Sequence, residues 1–434
     1  MGDKLYNLVT NDDASVNLSK GISDDASKHV PENFGRQVLA TVASKTGDQL
    51  TKPGLILTWL LTALGAPAIT IGLLVPVREA GSLLPQILFA NVMNRFELRK
   101  YFWVAGSVFQ GLAIVGIAFA ALQLTGAALG WTTVGLLAVF SLSRAMCSIS
   151  SKDLLGKTIP KTRRGRLGGL ASSFSGWIAV LVGISFALNR AEELPLPVFT
   201  GMLFTAGLLW FVGAGFMSRV HELPQTTPSK GNPLGDLLSS FRLLKEDRIF
   251  LRFCIARGLL ASTILSMPFY VVLAHEATGG RIKSLGLLMI AGSLATAISG
   301  VVWGRLSDTS SRRTLAIAGC SAGVIGCLTA AVSYLQIGET EAAFVYGALF
   351  FLIGLSHTGI RNGRKTYLVD HATQENRAQL VAVSNTLMGI VLLISGTFGL
   401  LAEALGTQAV ILVFALFGIA GGITASLLPE TIED

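Results

Sequence analysis

Charge is what this sequence has least of. Aspartate, glutamate, lysine and arginine together make up 14% of the 434 residues, against roughly 25% in a soluble domain. A chain so poor in charge cannot cover a water-facing surface. Cysteine is scarce too. Cys147, Cys254, Cys320 and Cys327 sit in apolar stretches without pairing or metal-ligand spacing, which excludes a disulfide framework or a cysteine metal site. No glycine–lysine loop of the phosphate-cradling kind is present, so no step driven by nucleotide hydrolysis is expected. No nucleophile elbow, Ser/His/Asp set or metal-spaced ligand set occurs, so neither an enzyme nor a cofactor is expected. The net charge of +8 is not gathered into a basic patch interleaved with aromatics, which argues against nucleic acid. Residues 1–32 lack an apolar core and read as a disordered cytoplasmic tail rather than a signal peptide.

What the chain has in abundance is apolar length. Spanning the hydrocarbon core takes about 20 residues of helix. Tyr101 to Ser143 carries no charge and suffices for two spans, with Thr125 to Gly130 as the expected turn. Further runs cover 167–189, 194–218, 284–304, 314–338, 378–402 and 404–429. Four more spans, over 34–64, 68–94, 249–274 and 342–368, require charged residues inside them, and the fourth span extends to about residue 157. Gly65-Ala66-Pro67 reads as the turn between the first two.

An internal repeat supports the count. Ile71-Gly72-Leu73-Leu74 matches Leu285-Gly286-Leu287-Leu288 at an offset of 214. Lys152 with Lys365, Arg164 with Arg377 and Gly176 with Gly389 share an offset of 213. The expected architecture is all-α and membrane-integral: twelve helices in two pseudo-symmetric six-helix bundles, residues 33–218 and 249–430, joined by a cytoplasmic linker at 219–248. With the amino terminus inside, outer loops carry only Arg190, Arg281 and Lys283. Inner loops carry twelve bases, among them Arg95, Arg99, Lys100, Lys157 and Arg164. The positive-inside bias places both termini in the cytoplasm and the protein in the cell (inner) membrane.

Over residues 33–430 the chain resembles the major facilitator superfamily. Its most specific local match is Gly304-Arg305-Leu306-Ser307-Asp308 through Arg312-Arg313, similar to the family's inner-loop signature between helices 8 and 9. The resemblance implies gating roles for Gly304, Asp308, Arg312 and Arg313, with Gly300 and Gly304 at a close helix crossing. In the first half Asn94 stands where the acid is expected. Ser143-Arg144-Ala145-Met146 resembles the family's mid-helix arginine motif, while helix 5 lacks the glycine–proline signature of proton-driven drug antiporters.

The informative residues are those that do not belong in lipid, where an ionised side chain at mid-bilayer costs at least about 2.5 kcal/mol. Helix 1 carries Lys45, Asp48 and Lys52 at spacings that put all three on one face. Helix 2 carries Arg78 and Glu79, about 100° apart as neighbours on a helix. Helix 4 carries Arg144, then Lys152 and Asp153; helix 7 carries Arg257; helix 10 carries His357, Arg361, Arg364 and Lys365. The resemblance implies that helices 1, 4, 7 and 10 line a central cavity. Lys152, Asp153, Arg364 and Lys365 lie nearest the cytoplasm and are assigned to gating. Lys45, Asp48, Lys52, Arg78, Glu79, Arg144, Arg257, His357 and Arg361 are assigned to substrate or coupling, with Asp48 as first choice for the proton. The resemblance implies secondary transport of a small solute by a proton-coupled monomer in the bilayer, and because bases outnumber acids the expected solute is an organic anion. Drug or metabolite efflux, and a non-transporting assembly or sensor protein, are the alternatives.

Overall fold

Proline and glycine decide where the helices of this chain stop. The computed structural model describes residues 22–189, 195–224, 233–373 and 376–430, and among them every regular element is helical. Helix α1 comes in three pieces: Val30–Leu50, a π-helical Pro53–Leu57, and Thr58–Ala63. Pro53 pushes the residue before it out of helical geometry, and Lys52 accordingly has ψ 113. Helix α2 is likewise split at Leu84–Pro85 into Ala68–Leu83 and Gln86–Met93.

The remaining spans are α3 (Lys100–Gln123), α4 (Gly126–Thr158), α5 (Lys161–Ala187) and α6 (Leu196–Ser218), then α7 (Arg248–Leu260 and Ser262–Ala277) and α8 (Ile282–Thr309). Helices α9 (Ser311–Val332), α10 (Glu339–His371), α11 (Arg377–Ser395 and Phe398–Leu405) and α12 (Thr407–Ser426) complete the set. Ten of these are continuous enough in length and composition to cross a bilayer; the proline-broken α1 and α2 bring the spans to twelve. At 33 residues each, α4 and α10 are about 50 Å long and overrun a hydrocarbon core of about 30 Å. Between α6 and α7, the short helices Pro233–Ser240 and Leu243–Glu246 set Leu237, Phe241 and Leu244 on the base of the last six spans.

One turn is tighter than the sequence suggests. Thr125 to Gly130 was the expected connection, yet α4 begins at Gly126. The chain turns over extended Leu124 and Thr125, and Gly126, with φ +58, opens α4 while its N–H donates to Leu64 O at 2.9 Å.

The two halves meet through glycine. A Cβ on Gly72 of α2 would lie 2.9 Å from Gly399 Cα of α11, and one on Gly286 of α8 would lie 2.5 Å from Gly183 O of α5. Gly72 and Gly286 are the repeat-related glycines, so the same small residue makes the crossing in each half. Both crossings lie at the end away from the basic loops. There Glu403 Oε1 also accepts from Ile69 N at 3.0 Å, tying α11 to the start of α2. Gly300 and Gly304 make no such crossing: the space where a Cβ would stand is open at both. The close approach expected of them falls instead within the second half, where Gly319 and Gly323 of α9 meet Gly422 and Gly418 of α12.

Candidate functional site

Near the middle of the bundle, α1, α2 and α4 converge on one carboxylate. Gly130 lets α4 pass close to Thr70, and Gly81 does the same for α2 at Ser141. That approach brings Arg78 and Arg144 onto Asp48. Arg144 Nη1 lies 2.7 and 2.6 Å from the two Asp48 oxygens, and Arg78 Nη2 lies 3.0 Å from Oδ1. The Arg78 guanidinium also sits 5.6 Å from the centre of the Phe140 ring.

Two expectations about this cluster are corrected. The first is that spacing alone puts Lys45, Asp48 and Lys52 on one face. Lys45 and Asp48 are set there by the unbroken helix Val30–Leu50, with Lys45 Nζ donating to Ser172 Oγ at 2.6 Å on α5. Lys52 follows the end of the helix at Leu50, so helical spacing no longer fixes its direction. The second is that Arg78 and Glu79 diverge. Their backbones do, but the long guanidinium folds back and Nη1 reaches Glu79 Oε1 at 3.1 Å.

Two cavities adjoin this cluster. The smaller, about 270 Å³, is lined by Asp48, Lys52, Arg78, Glu79 and Arg144 from the first half, and by His357, Thr358 and Arg361 on α10. The larger, about 530 Å³, is lined by Glu79, Arg257, His357, Arg361, Arg364 and Lys365 among apolar side chains. They share Glu79, Ile264, His357 and Arg361, and together hold seven bases against two acids. Arg257 is 9% exposed, donates to Ser384 Oγ and reaches Asn385 Oδ1 at 2.9 Å. Its Nε and the Nδ1 of His357 are buried without a partner among the described residues. Arg361, Arg364 and Lys365 have no carboxylate within 4.0 Å among the described residues. Their charges, if desolvated, need compensation from elsewhere.

The basic end carries a separate set of contacts. Asp153 pairs with Arg99 at the start of α3 and with Lys157 Nζ at 2.8 Å. Glu222, just past α6, accepts from the backbone N–H groups of Arg99 and Lys100 at 3.1 and 2.8 Å, capping α3. In the second half Arg312 Nε meets Glu430 Oε2 at 2.8 Å just past α12. Arg99 and Arg312 are 213 residues apart, but their ion-pair partners differ, Asp153 on α4 and Glu430 past α12. The side chain of Asp308, the expected latch acid, lies outside the described residues. Lys152 and Lys365, its repeat partner, are both exposed.

Sequence reasoning missed Ser384, Asn385, Glu222 and Glu430. Ser384-Asn385 was visible as a polar pair inside the apolar run 378–402. The acids stand beside Pro224 and Pro429, each just after the last helix of its half. They read as loop, because a cap on another helix leaves no periodic trace.

Comparison with known proteins agrees with this architecture. At 23% identity over 381 residues, the chain matches the uncharacterized protein Rv2209 of Mycobacterium tuberculosis (strain ATCC 25618 / H37Rv), covering 83% of this chain and 70% of that one. Among solved structures it resembles a D-xylose–proton symporter (TM-score 0.69, 14% identity, 92% and 98% of the two chains). It also resembles the nucleoside transporter NupG (0.68, 10%, 91% and 98%) and a POT family transporter in complex with 5-aminolevulinic acid (0.67, 13%, 90% and 94%). At these identities the likeness is one of fold. The family model described as Major Facilitator Superfamily matches residues 38–394 and 264–433, and the chain therefore belongs to that superfamily of membrane transporters.

Proposed function

We propose that this protein is a secondary carrier that moves a small organic anion across the cell membrane by alternating access, coupled to a proton. The observation that carries the proposal is the seven-to-two excess of bases lining the two adjoining cavities. Few neutral hydrogen-bonding groups line them: Gln49, Thr296, Thr358 and Asn385. That is a poor match for a sugar, whose hydroxyls each need a partner. With the basic loops toward the cytoplasm, both termini are cytoplasmic and the larger cavity reaches toward the cell interior along α10.

The charge pattern supplies a mechanism. The uncompensated bases of the second half (Arg257, Arg361, Arg364, Lys365), with Lys52 of the first, repel one another, which opposes closure of the halves over an empty cavity toward the cytoplasm. An anion bound between them removes that repulsion and favours closure there, so substrate shifts the equilibrium between the two open states. Coupling falls to Glu79 rather than Asp48. Protonating Asp48 strands Arg144, which has no other carboxylate among the described residues, and leaves Arg78 with Glu79 alone. Protonating Glu79 leaves Arg78 still paired with Asp48, and Glu79 opens to both cavities.

Uptake into proteoliposomes under an imposed pH gradient tests this reading. Organic anions should accumulate in proportion to the gradient, and Glu79→Gln should abolish accumulation while leaving anion exchange. Gradient-independent flux in the unaltered protein would remove the proton from the mechanism.

A further inference from the structure

We infer that the substrate carries its charge as a compact dianionic head, a phosphate monoester or a dicarboxylate, seated in the second half against Arg257, Arg361 and Arg364. The inference rests on the anion-carrier reading and deepens it.

The two cavities are not equally balanced. Around Asp48, two carboxylates already answer Arg78 and Arg144. A single-charge substrate there would compete with acids already in place. Along α7 and α10 the account is different. The larger cavity is lined by Arg257, Arg361, Arg364 and Lys365, and Glu79 at its far wall is its only acid among the described residues. Arg257 is buried and held by neutral acceptors alone, Ser384 and Asn385, with its Nε facing no partner. His357 adds a buried, unpartnered ring nitrogen on the same wall. A guanidinium so enclosed needs a counter-ion, and neutral oxygens orient it without neutralising it. Four clustered bases and one shared acid leave a deficit that one negative charge does not fill. Guanidinium forks also match the paired oxygens of carboxylate and phosphate.

The rest of that cavity fixes the body of the molecule. Phe253, Leu260, Ile264, Leu315, Met388 and Leu392 line it, so the dianionic head should bear an apolar or aromatic portion. A volume near 530 Å³ lies within the range of about 300–1,000 Å³ of small-molecule sites.

The test compares head groups that differ by one charge. Purified full-length protein is titrated with phenyl phosphate and methyl phenyl phosphate, and with phthalate and its monomethyl ester, following tryptophan fluorescence. At least one dianion should bind tenfold or more tightly than its methyl ester, and the pair with the larger ratio identifies the head. Arg257→Gln and Arg361→Gln should each compress that ratio to threefold or less, while the linker variant Arg242→Gln keeps it. Arg361 is open to the cavity, so its variant carries the test even if Arg257→Gln fails to fold. Equal binding of dianion and methyl ester in the unaltered protein would overturn the dianion and leave the anion carrier standing. A ratio untouched by the Arg361 variant would overturn the location. Transport of neutral or cationic solutes, with no anion bound, would remove the carrier reading and this inference together.

Discussion

Asp48 holds two guanidiniums in place, and that double duty distinguishes it from Glu79. Removing its charge leaves Arg78 and Arg144 facing each other across a space only 17% open at the carboxylate. Breaking one side of such a cluster is costly, and after allowance for cavity water we expect Asp48→Asn to lose about 2 kcal/mol. It should show as a lower melting temperature in detergent and reduced yield. Glu79→Gln, by contrast, should melt close to the unaltered protein. Equal destabilisation of the two would place Glu79 in the structural cluster as well. A second residue-scale expectation lies outside the membrane. Asp247 caps α7 by accepting from Phe250 N at 2.8 Å and meets His371 Nε2 at 2.7 Å. Burial pushes its carboxyl upward, but the Phe250 N–H and His371 outweigh this and hold it below its ordinary value. Its contribution is therefore present above the usual carboxylate pKa and lost as pH falls through the lowered one. Asp247→Ala should cost about 1 kcal/mol at neutral pH, and a loss that did not shrink in strong acid would contradict this. Which charges lie inside the bundle was legible in the sequence, because a charge inside an apolar run is costly wherever it points. How they pair was not. Lys45 reaches a neighbouring hydroxyl and Lys52 follows a helix end set by the next proline, and neither is encoded in helical spacing.

The elements divide into those that cross tightly and those kept apart. At the end away from the basic loops, Gly286 lies against backbone atoms of Gly183 and Ala187, which cannot swing aside as a side chain could. Gly286→Val should therefore pry α8 from α5, destabilise the protein by about 1–3 kcal/mol and expose cysteines introduced near Gly183 to an impermeant thiol reagent. The same change at Gly300, where the space is open, should do neither; comparable effects at both positions would sink the claim that these crossings close that end. At the opposite end Lys152 of α4 and Lys365 of α10 put like charge at repeat-related positions of the two halves. Lys152→Glu makes those charges opposite and should hold the basic end shut, lowering flux severalfold while leaving melting behaviour near normal. Faster transport in that variant would contradict the picture. Glycine positions were readable from sequence, but their partners were not. Gly72 and Gly286 stood out only as a repeat, and Gly300 and Gly304 carried a spacing that suggested contact without achieving it.

For the molecule as a whole, the sequence displayed the twelve-span plan because hydrocarbon thickness sets one length for every helix and loop charge sets their alternation. The breaks in α1 and α2 fall at Pro53 and Pro85, inside spans expected to be continuous, and only the structure relates the first to the placement of Lys52. The cavity's sign was legible as an excess of bases, while its division into a balanced and an unbalanced part required the pairing of Asp48. Counterflow in proteoliposomes measures the central claim most directly. Vesicles loaded with a candidate solute and diluted into trace labelled solute should take up label for organic anions and not for matched neutral sugars or cationic amines, and Arg361→Gln should remove the uptake. Counterflow of a neutral sugar or a cation by the unaltered protein, with anions ignored, would contradict the account.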